Sequence, residues 1–149
     1  MAPPVPRSGG GMKRRFVVFV ALAALSTVTI GVLTARAVTH SSGTVKVAMK
    51  EWGFAPRPAS VKAGKVTFVV KNAGQLSHEF VVLKTKTAAN KLTVKGTAAV
   101  VSGAVGKIKQ FKGGLTKKLT LTLKAGHYIL LCNLPAHYKA GQHVDFTVG

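Results

Sequence analysis

The residues with the most reactive side chains lie in one short segment late in the sequence. Cys132 ends an apolar stretch, and His137 follows it five positions later, with Pro135 between them. A thiolate and an imidazole held on such a loop can converge on one point, as a metal site requires. Two ligands are too few, and His78, which lies just before a strand-like segment far upstream, is the natural candidate for a third.

Each of these residues also has an ordinary structural explanation. A single histidine is often a hydrogen-bonded core residue, and a single cysteine is often a buried, inert thiol. Copper suits a thiolate combined with imidazoles, and zinc would accept the same donors in a tetrahedral site. Cys132 is the only cysteine in the sequence, which excludes an intramolecular disulfide and an iron–sulfur cluster.

The elements that must position these residues are β-strands. Three segments alternate apolar and polar residues with a period of two, and three more are strand-like. They are residues 45–50, 65–71, 119–124, 79–83, 128–132 and 144–148. The pattern predicts an all-β domain, an antiparallel Greek-key β-sandwich over residues 44–149. Residues 87–105, which are rich in Ala, Gly and Val, fit no predicted element.

These segments resemble the blue-copper (cupredoxin) family, specifically its small exported bacterial members. The resemblance rests on Asn72-Ala73-Gly74 followed by His78-Glu79-Phe80-Val81-Val82-Leu83, and on Cys132-x4-His137-x4-Gln142 with its internal Pro135 and Gly141. It extends over residues 44–149. It implies one copper ion cycling between Cu(I) and Cu(II), with His78, Cys132 and His137 as equatorial ligands and Gln142 as a weak axial ligand.

The sequence departs from the usual family pattern at two positions. Gln142 stands where the family usually has Met, and Ala136 stands where a Gly usually precedes the second histidine. An amide oxygen is a harder donor than a thioether and stabilises Cu(II) relative to Cu(I). We therefore expect a lower reduction potential than in a relative with an axial Met. Asn72 or Glu79 is expected to brace the loop that bears His78, and backbone N–H groups near residue 133 to bond the Cys132 sulfur.

The remaining histidines compete with these candidates. His143 lies next to Gln142, but on a strand its side chain should point away from that of its neighbour. His127 belongs to a hairpin signal and is expected at the surface, and His40 lies in a polar connector. We expect none of the three to bind the metal.

The resemblance implies electron transfer rather than catalysis. Related multicopper oxidases add clusters of further histidines, whereas this sequence contains no His-x-His pair. We therefore expect the protein not to be an enzyme. Two alternatives stay open: copper delivery or storage outside the cytoplasm, and a metal-free β-sandwich interaction module.

The charge of the chain is strongly positive. It contains 22 Lys and Arg residues against 3 acids, and after residue 37 there are still 17 against 3, a net charge of +14. Nucleic-acid binding usually relies on arginine-rich clusters with interleaved aromatic residues, whereas Arg57 is the only arginine in this part. We expect no nucleic-acid partner and a monomeric domain.

The resemblance also implies a contact surface for a redox partner protein. In the family, the second ligand histidine commonly lies in an exposed apolar patch. Here that patch would contain His137, Leu134, Pro135, Ala136 and Tyr138. Lysines at its rim, such as Lys139, would attract an acidic partner.

Residues 1–37 are expected to direct export. Residues 16–35 carry no charge and are long enough to span a bilayer, and Lys13-Arg14-Arg15 precede them as a positive flank. The segment is either a signal peptide removed after Ala37 or an uncleaved membrane-anchor helix, and residues 38–43 form a linker. Either alternative gives an exported domain that is periplasmic or at the cell surface, soluble or anchored.

Overall fold

The computed structural model of the protein describes Met1 and residues 42–149. The predicted export or anchor helix at 16–35, and most of the predicted linker at 38–43, lie outside the described residues. Within the part of the chain that is described, no helix is long and apolar enough to cross a membrane.

The described residues form eleven β-strands and one short 3-10 helix. The strands are β1 (Ser42–Lys50), β2 (Gly53–Arg57), β3 (Ser60–Val61), β4 (Gly64–Asn72), β5 (His78–Lys84), β6 (Val94–Lys95), β7 (Ala98–Ala99), β8 (Ala104–Phe111), β9 (Thr116–Leu123), β10 (Gly126–Leu131) and β11 (His143–Val148). The 3-10 helix is Ala89–Lys91. In β4, buried residues alternate with less buried ones along the whole strand, as the period of two predicted.

The longer strands form two sheets packed into a sandwich. One sheet has the strand order β2-β1-β4-β9 and the other has the order β3-β11-β10-β5-β8, while β6 and β7 form a small separate pair. The predicted all-β sandwich is confirmed, with one correction. Most neighbours are antiparallel, but β1 runs parallel to β4, and β11 runs parallel to β3. Alternation of side chains determines which face of a strand is buried, but it carries no information on the direction of the neighbouring strand.

The core between the two sheets is built around aromatic side chains. The ring of Phe68 in β4 lies 5.3 Å from that of Phe80 in β5 and 5.7 Å from that of Phe146 in β11, measured between centroids. All three side chains are buried. Burial of three such side chains contributes on the order of 6 kcal/mol to the packing of one sheet against the other.

The five-stranded sheet is also covered on its outer face. Residues 87–101, part of the segment 87–105 that fitted no predicted element, contain the 3-10 helix and the β6–β7 pair, and their apolar side chains pack on this face. The outer side chains of the two central strands, Val81, Leu83, Ile129 and Leu131, are therefore buried. Burial on both faces explains why β5 and β10 are continuous apolar runs rather than alternating ones.

The strand ends bring the predicted ligands to one end of the sandwich. Because Leu131 pairs with Val81, three residues after the start of β5, and with His143, the first residue of β11, β10 ends near the starts of these two strands. The Gln142 side-chain amide then joins the two sheets by donating a hydrogen bond to the backbone carbonyl oxygen of Lys50, at 3.1 Å. The segments around residues 78, 132 and 142 therefore meet at this end.

Candidate metal centre

Cys132 follows directly after β10 and is fully buried. Its backbone N–H donates to the carbonyl oxygen of Gln142 at 3.1 Å, which closes the base of the ligand loop. Burial raises the pKa of the thiol, and the backbone N–H groups of Leu134 and Glu79 oppose this by donating to the sulfur, the second at 3.4 Å. A cysteine with N–H donors already aimed at its sulfur is prepared to carry the negative charge of a thiolate once a metal displaces the proton.

His78 is the first residue of β5 and is also fully buried. Burial lowers the pKa of its imidazole, and a hydrogen bond to Glu51 opposes that effect without reversing it. The ring is therefore neutral at pH 7. A neutral imidazole is the form that binds a metal, since one ring nitrogen then keeps a free lone pair.

His137 is placed by a tightly wound loop. The backbone N–H of His137 donates to the carbonyl oxygen of Leu134 at 3.0 Å, and that of Gln142 donates to the carbonyl oxygen of His137 at 3.1 Å. Ala136 has a φ of +70°, in the left-handed region, and its N–H donates to the carbonyl oxygen of Thr97 at 2.8 Å. His137 is only partly buried, whereas His78 and Cys132 are fully buried.

The structure brings the donor atoms of these three residues together. The Nδ1 atom of His137 lies 3.2 Å from Nδ1 of His78 and 3.3 Å from Sγ of Cys132, and all three ligand atoms lie within 4.8 Å of one another. Metal–ligand bonds to nitrogen and sulfur are about 2.0–2.3 Å long, so donors around a single ion are separated by roughly 3–4 Å. The residues therefore fit one metal ion, and the combination of one thiolate with two imidazoles suits copper or zinc.

Gln142 completes the cluster geometrically. Its side chain is fully buried, and its Oε1 atom lies 3.1 Å from Nδ1 of His137. Its NH2 group donates to the carbonyl oxygen of Lys50, so the amide oxygen is the atom that faces the cluster. The amide oxygen of Gln142 is therefore a candidate fourth donor beside the His137 imidazole.

Glu51 also belongs to the site, although sequence reasoning gave it no role. Its Oε1 atom lies 3.0 Å from Nε2 of His78 and accepts a hydrogen bond from the N–H of Leu76 at 2.6 Å, and its Oε2 accepts one from the N–H of Gln75 at 3.3 Å. The N–H of Leu76 is the main reason that the pKa of this carboxyl falls to about 2. The available signal was the scarcity of acids, since only three occur in the sequence.

Trp52 is the second neighbour of the cluster that sequence reasoning missed. Its ring meets that of His137 edge to face, with centroids 5.1 Å apart, and 46% of the residue is exposed. The indole therefore covers one side of the partly exposed ligand histidine. It is the only tryptophan in the chain, but a single aromatic residue in a turn carries no sequence pattern that would place it here.

Asn72 and Glu79, which were expected to brace the loop bearing His78, hold two different loops. Asn72 is buried and organises the loop before His78, because its side-chain amide donates to the carbonyl oxygens of Leu76 (2.8 Å) and Phe111 (3.0 Å). Glu79 instead braces the loop after Cys132, since its Oε1 accepts the N–H of Asn133 at 3.2 Å. The side chain of Asn133 in turn exchanges two hydrogen bonds with the backbone of Ala99 in β7.

The other described histidines lie outside the group of ligand atoms. The His127 ring bonds the carboxylate of Asp145 and the carbonyl oxygen of Thr85, both at 2.8 Å. His143 packs its ring 4.8 Å from that of Tyr138, and burial lowers the pKa of its imidazole. Among residues 42–149, only His78, Cys132 and His137 form a cluster able to hold a metal.

The sequence matches a protein-family model and a relative described for copper resistance. The family model described as the cupredoxin-like domain matches residues 17–144. The copper-resistant cuproprotein CopI of Pseudomonas aeruginosa is 29% identical to this chain over 140 residues. The match covers 73% of this chain and 77% of CopI.

Solved structures of auracyanins and of rusticyanin share the fold. Reduced auracyanin from Roseiflexus castenholzii has a TM-score of 0.55 at 21% identity, covering 74% of this chain and 98% of that chain. Auracyanin A from Chloroflexus aurantiacus, a "blue" copper protein, has a TM-score of 0.54 at 20% identity, covering 73% and 100%. Rusticyanin from Thiobacillus ferrooxidans has a TM-score of 0.51 at 18% identity, covering 71% and 77%.

The left-handed conformation of Ala136 leads to a stability prediction. A residue with a Cβ loses about 1–2 kcal/mol in this region, whereas glycine does not, although glycine gives up about 0.5–1 kcal/mol through its greater freedom in the unfolded chain. Ala136→Gly should therefore stabilise the metal-free domain by up to about 1 kcal/mol, measured by urea unfolding. Ala140, exposed in the same loop without a positive φ, is the matched control: Ala140→Gly should destabilise. Equal effects of Ala136→Gly and Ala140→Gly on stability would contradict the left-handed conformation assigned to Ala136.

Proposed function

The chain belongs to the cupredoxin-like family, and from this premise we propose that it is an extracytoplasmic type 1 copper protein that transfers electrons. One copper ion would be held by His78, Cys132 and His137, with Gln142 as a weak axial ligand. The observation that carries the proposal is the convergence of two imidazole Nδ1 atoms and one thiol sulfur within 4.8 Å, at the end of a sandwich where the strands fix each of them.

The residues around the cluster favour electron transfer because they resist rearrangement. When bound, copper would supply a one-electron Cu(I)/Cu(II) couple. His78, Cys132 and Gln142 are fully buried, and each is tied by hydrogen bonds to a different part of the backbone or to Glu51. A ligand set that moves little when the charge of the metal changes lowers the reorganisation that electron transfer requires.

The same burial argues against an enzyme. Three of the four donors have no accessible surface, and the fourth, His137, presents only part of its ring. A substrate would need an open coordination position, as in catalytic metal sites that keep one ligand place for water. We propose that this centre has no such position and exchanges electrons through the exposed edge of His137.

The surface around that edge is proposed as the docking site for a redox partner. Pro135 and Ala136 are exposed beside His137, as the sequence indicated, but Tyr138 is buried and its hydroxyl bonds the backbone at residues 89 and 92. Trp52 takes the place expected for Tyr138, since it is half exposed and packs against the ligand ring. The patch is apolar, and the lysine-rich surface beyond it would attract an acidic protein.

Export is proposed from the N-terminal sequence. Residues 16–35 carry no charge and follow the positive flank Lys13-Arg14-Arg15, as in an export signal or a membrane anchor. This is compatible with a domain released into the periplasm or at the cell surface after signal cleavage, and equally with one that stays anchored through residues 16–35.

Copper handling is the second candidate function. It is favoured by the similarity to a protein named for copper resistance. A fully buried thiol and imidazole would hold copper against loss, which suits a storage or protective role as well as a redox one. Electron exchange that is faster than transfer of copper to an acceptor would favour the redox protein, and the reverse order of rates would favour copper delivery.

Copper titration tests the proposed site directly. Addition of Cu(II) to residues 38–149 should saturate at one ion, produce an intense thiolate-to-copper absorption band, and quench the fluorescence of Trp52, which lies beside His137. Cys132→Ser should abolish the band because the sulfur is lost. His143→Ala is the control and should retain it, since His143 is outside the cluster. A colourless Cu(II) adduct, or loss of the band in His143→Ala, would contradict the proposal.

The axial assignment of Gln142 predicts a change in reduction potential. Gln142→Met replaces an amide oxygen by a softer thioether and should raise the potential, by about 59 mV for each tenfold shift in preference toward Cu(I). The variant also removes the hydrogen bond to the carbonyl oxygen of Lys50, so it should lose about 1 kcal/mol of stability. Gln110→Met, on the exposed side of β8, should change neither quantity. An unchanged potential in Gln142→Met would show that the amide does not approach the metal.

The lysine surface predicts electrostatic steering. The rate of electron exchange with an acidic electron-transfer protein should fall as ionic strength rises from 0.01 to 0.15 M, because the screening length drops from about 30 to about 8 Å. Lys139→Glu, two residues from His137, should slow the reaction more than Lys65→Glu, which lies at the opposite end of β4 from the site. Stopped-flow rates that do not respond to salt, or respond equally to both changes, would argue against this surface.

A further inference from the structure

Within residues 42–149, Glu51 is the only acid whose carboxylate contacts the side chain of a predicted ligand. We infer that Glu51 is a positioning residue for the metal centre: its carboxylate holds His78 with Nε2 protonated and Nδ1 free, and strengthens that imidazole as a donor to Cu(II). The inference rests on the proposed copper site and deepens it, because it assigns the control of one ligand to a residue outside the ligand set.

The contacts of the carboxylate define the orientation of the histidine ring. The two backbone groups that Glu51 binds, the N–H groups of Leu76 and Gln75, can only donate, so the carboxylate acts as their acceptor. With its oxygens in this role, the remaining partner, Nε2 of His78 at 3.0 Å, must also donate. The proton on His78 is thereby placed on Nε2, and the Nδ1 lone pair faces His137 and the sulfur.

The loop before His78 is built around this carboxylate. A Cβ atom on Gly74 would collide with the carboxylate group of Glu51, so only glycine leaves space for it at that position. Asn72 holds the same loop from the other side, since its side-chain oxygen accepts the N–H of Gly74 at 3.1 Å. The carboxylate is therefore an integral part of the loop that carries the ligand, and a freely rotating surface acid would not satisfy these contacts.

The imidazoles of the two predicted ligand histidines differ in their burial and hydrogen bonding. His78 is buried and bonded through Nε2 to a carboxylate, whereas within residues 42–149 the Nε2 atom of His137 makes no hydrogen bond, and its ring packs against those of Trp52 and His78. A carboxylate behind a ligand imidazole raises its basicity and so favours the more highly charged metal ion. Glu51 and Gln142 would then act in the same direction, each stabilising Cu(II) relative to Cu(I).

The decisive comparison uses the full chain and its Glu51→Gln variant, which keeps the size of the side chain and one acceptor oxygen but removes the charge. Affinities for Cu(II) and Cu(I) are measured by competition with chelators, and the reduction potential by voltammetry. Removal of such a partner typically weakens metal binding about 10–100-fold. We expect this loss for Cu(II), a smaller loss for Cu(I), and a rise in potential of about 59 mV for each tenfold difference. Equal losses for both ions with an unchanged potential would overturn the inference, because they would indicate bracing alone.

Asp145→Asn is the matched control. Asp145 also bonds a histidine, His127, at 2.8 Å, and also accepts a backbone N–H, that of Ala89, but His127 is not part of the metal cluster. Loss of the Asp145 carboxylate should leave the copper affinities and the reduction potential unchanged. A shift equal to that of Glu51→Gln would mean that any lost negative charge in this basic domain has the same effect, and the specific role of Glu51 would be refuted.

A measurement on the metal-free wild-type chain tests whether Glu51 orients His78, and its result does not depend on copper binding. Nitrogen-15 NMR of the histidine rings reports which ring nitrogen is protonated, and it should show His78 as the Nε2–H tautomer. The Nδ1–H tautomer would overturn the inference even if copper binds. Failure of the wild type to bind copper would refute the proposed function, while this tautomer result would still decide whether Glu51 orients His78. If Glu51→Gln does not fold, Glu51→Asp, which keeps the charge, should retain the tautomer.

Discussion

The pairing of β5 with β10 is the constraint on which the centre depends. His78 begins the first of these strands and Cys132 follows the second, and the register that pairs Leu131 with Val81 brings them together from positions 54 residues apart. Both side chains are then removed from water, which costs free energy unless their polar atoms find partners. The Glu79 N–H on the sulfur and the Glu51 carboxylate on the imidazole are those partners.

Burial on both faces gives these two strands their rigidity. Residues 87–101 cover the outer face of the five-stranded sheet and also bind the ligand loop directly, through Thr97 to the backbone of Ala136 and through Ala99 to the side chain of Asn133. Residues that are enclosed by close-packed neighbours have little room to move. The geometry of the loop is therefore determined as much by a segment without a recognisable pattern as by the strands themselves.

The sequence predicted those features that depend on residue type and local spacing. Alternation identified β1, β4 and β9, and strand-like runs identified β5, β10 and β11, whereas β8 was not predicted. The types and separation of Cys132 and His137 indicated a shared site with His78. The two parallel strand pairs were not predictable in this way, because direction is decided by pairing across the fold. Glu51 and Trp52 were missed for the same reason: each is a single residue in a turn, and its role exists only because strand β1 ends beside the loop bearing His78.

The acidic and the basic residues of the domain lie in different environments. All three acids of the chain accept a backbone N–H group, Glu51 from Leu76, Glu79 from Asn133 and Asp145 from Ala89, so each is committed to holding a loop. The lysines, in contrast, lie mainly on exposed faces and turns. Because 17 Lys and Arg residues stand against these 3 acids after residue 37, the domain carries a net positive charge, and its field reaches over a screening length of about 8 Å at physiological salt. Two of the acids, Glu51 and Glu79, therefore hold the loops around the site, while the lysines give the domain its net positive charge.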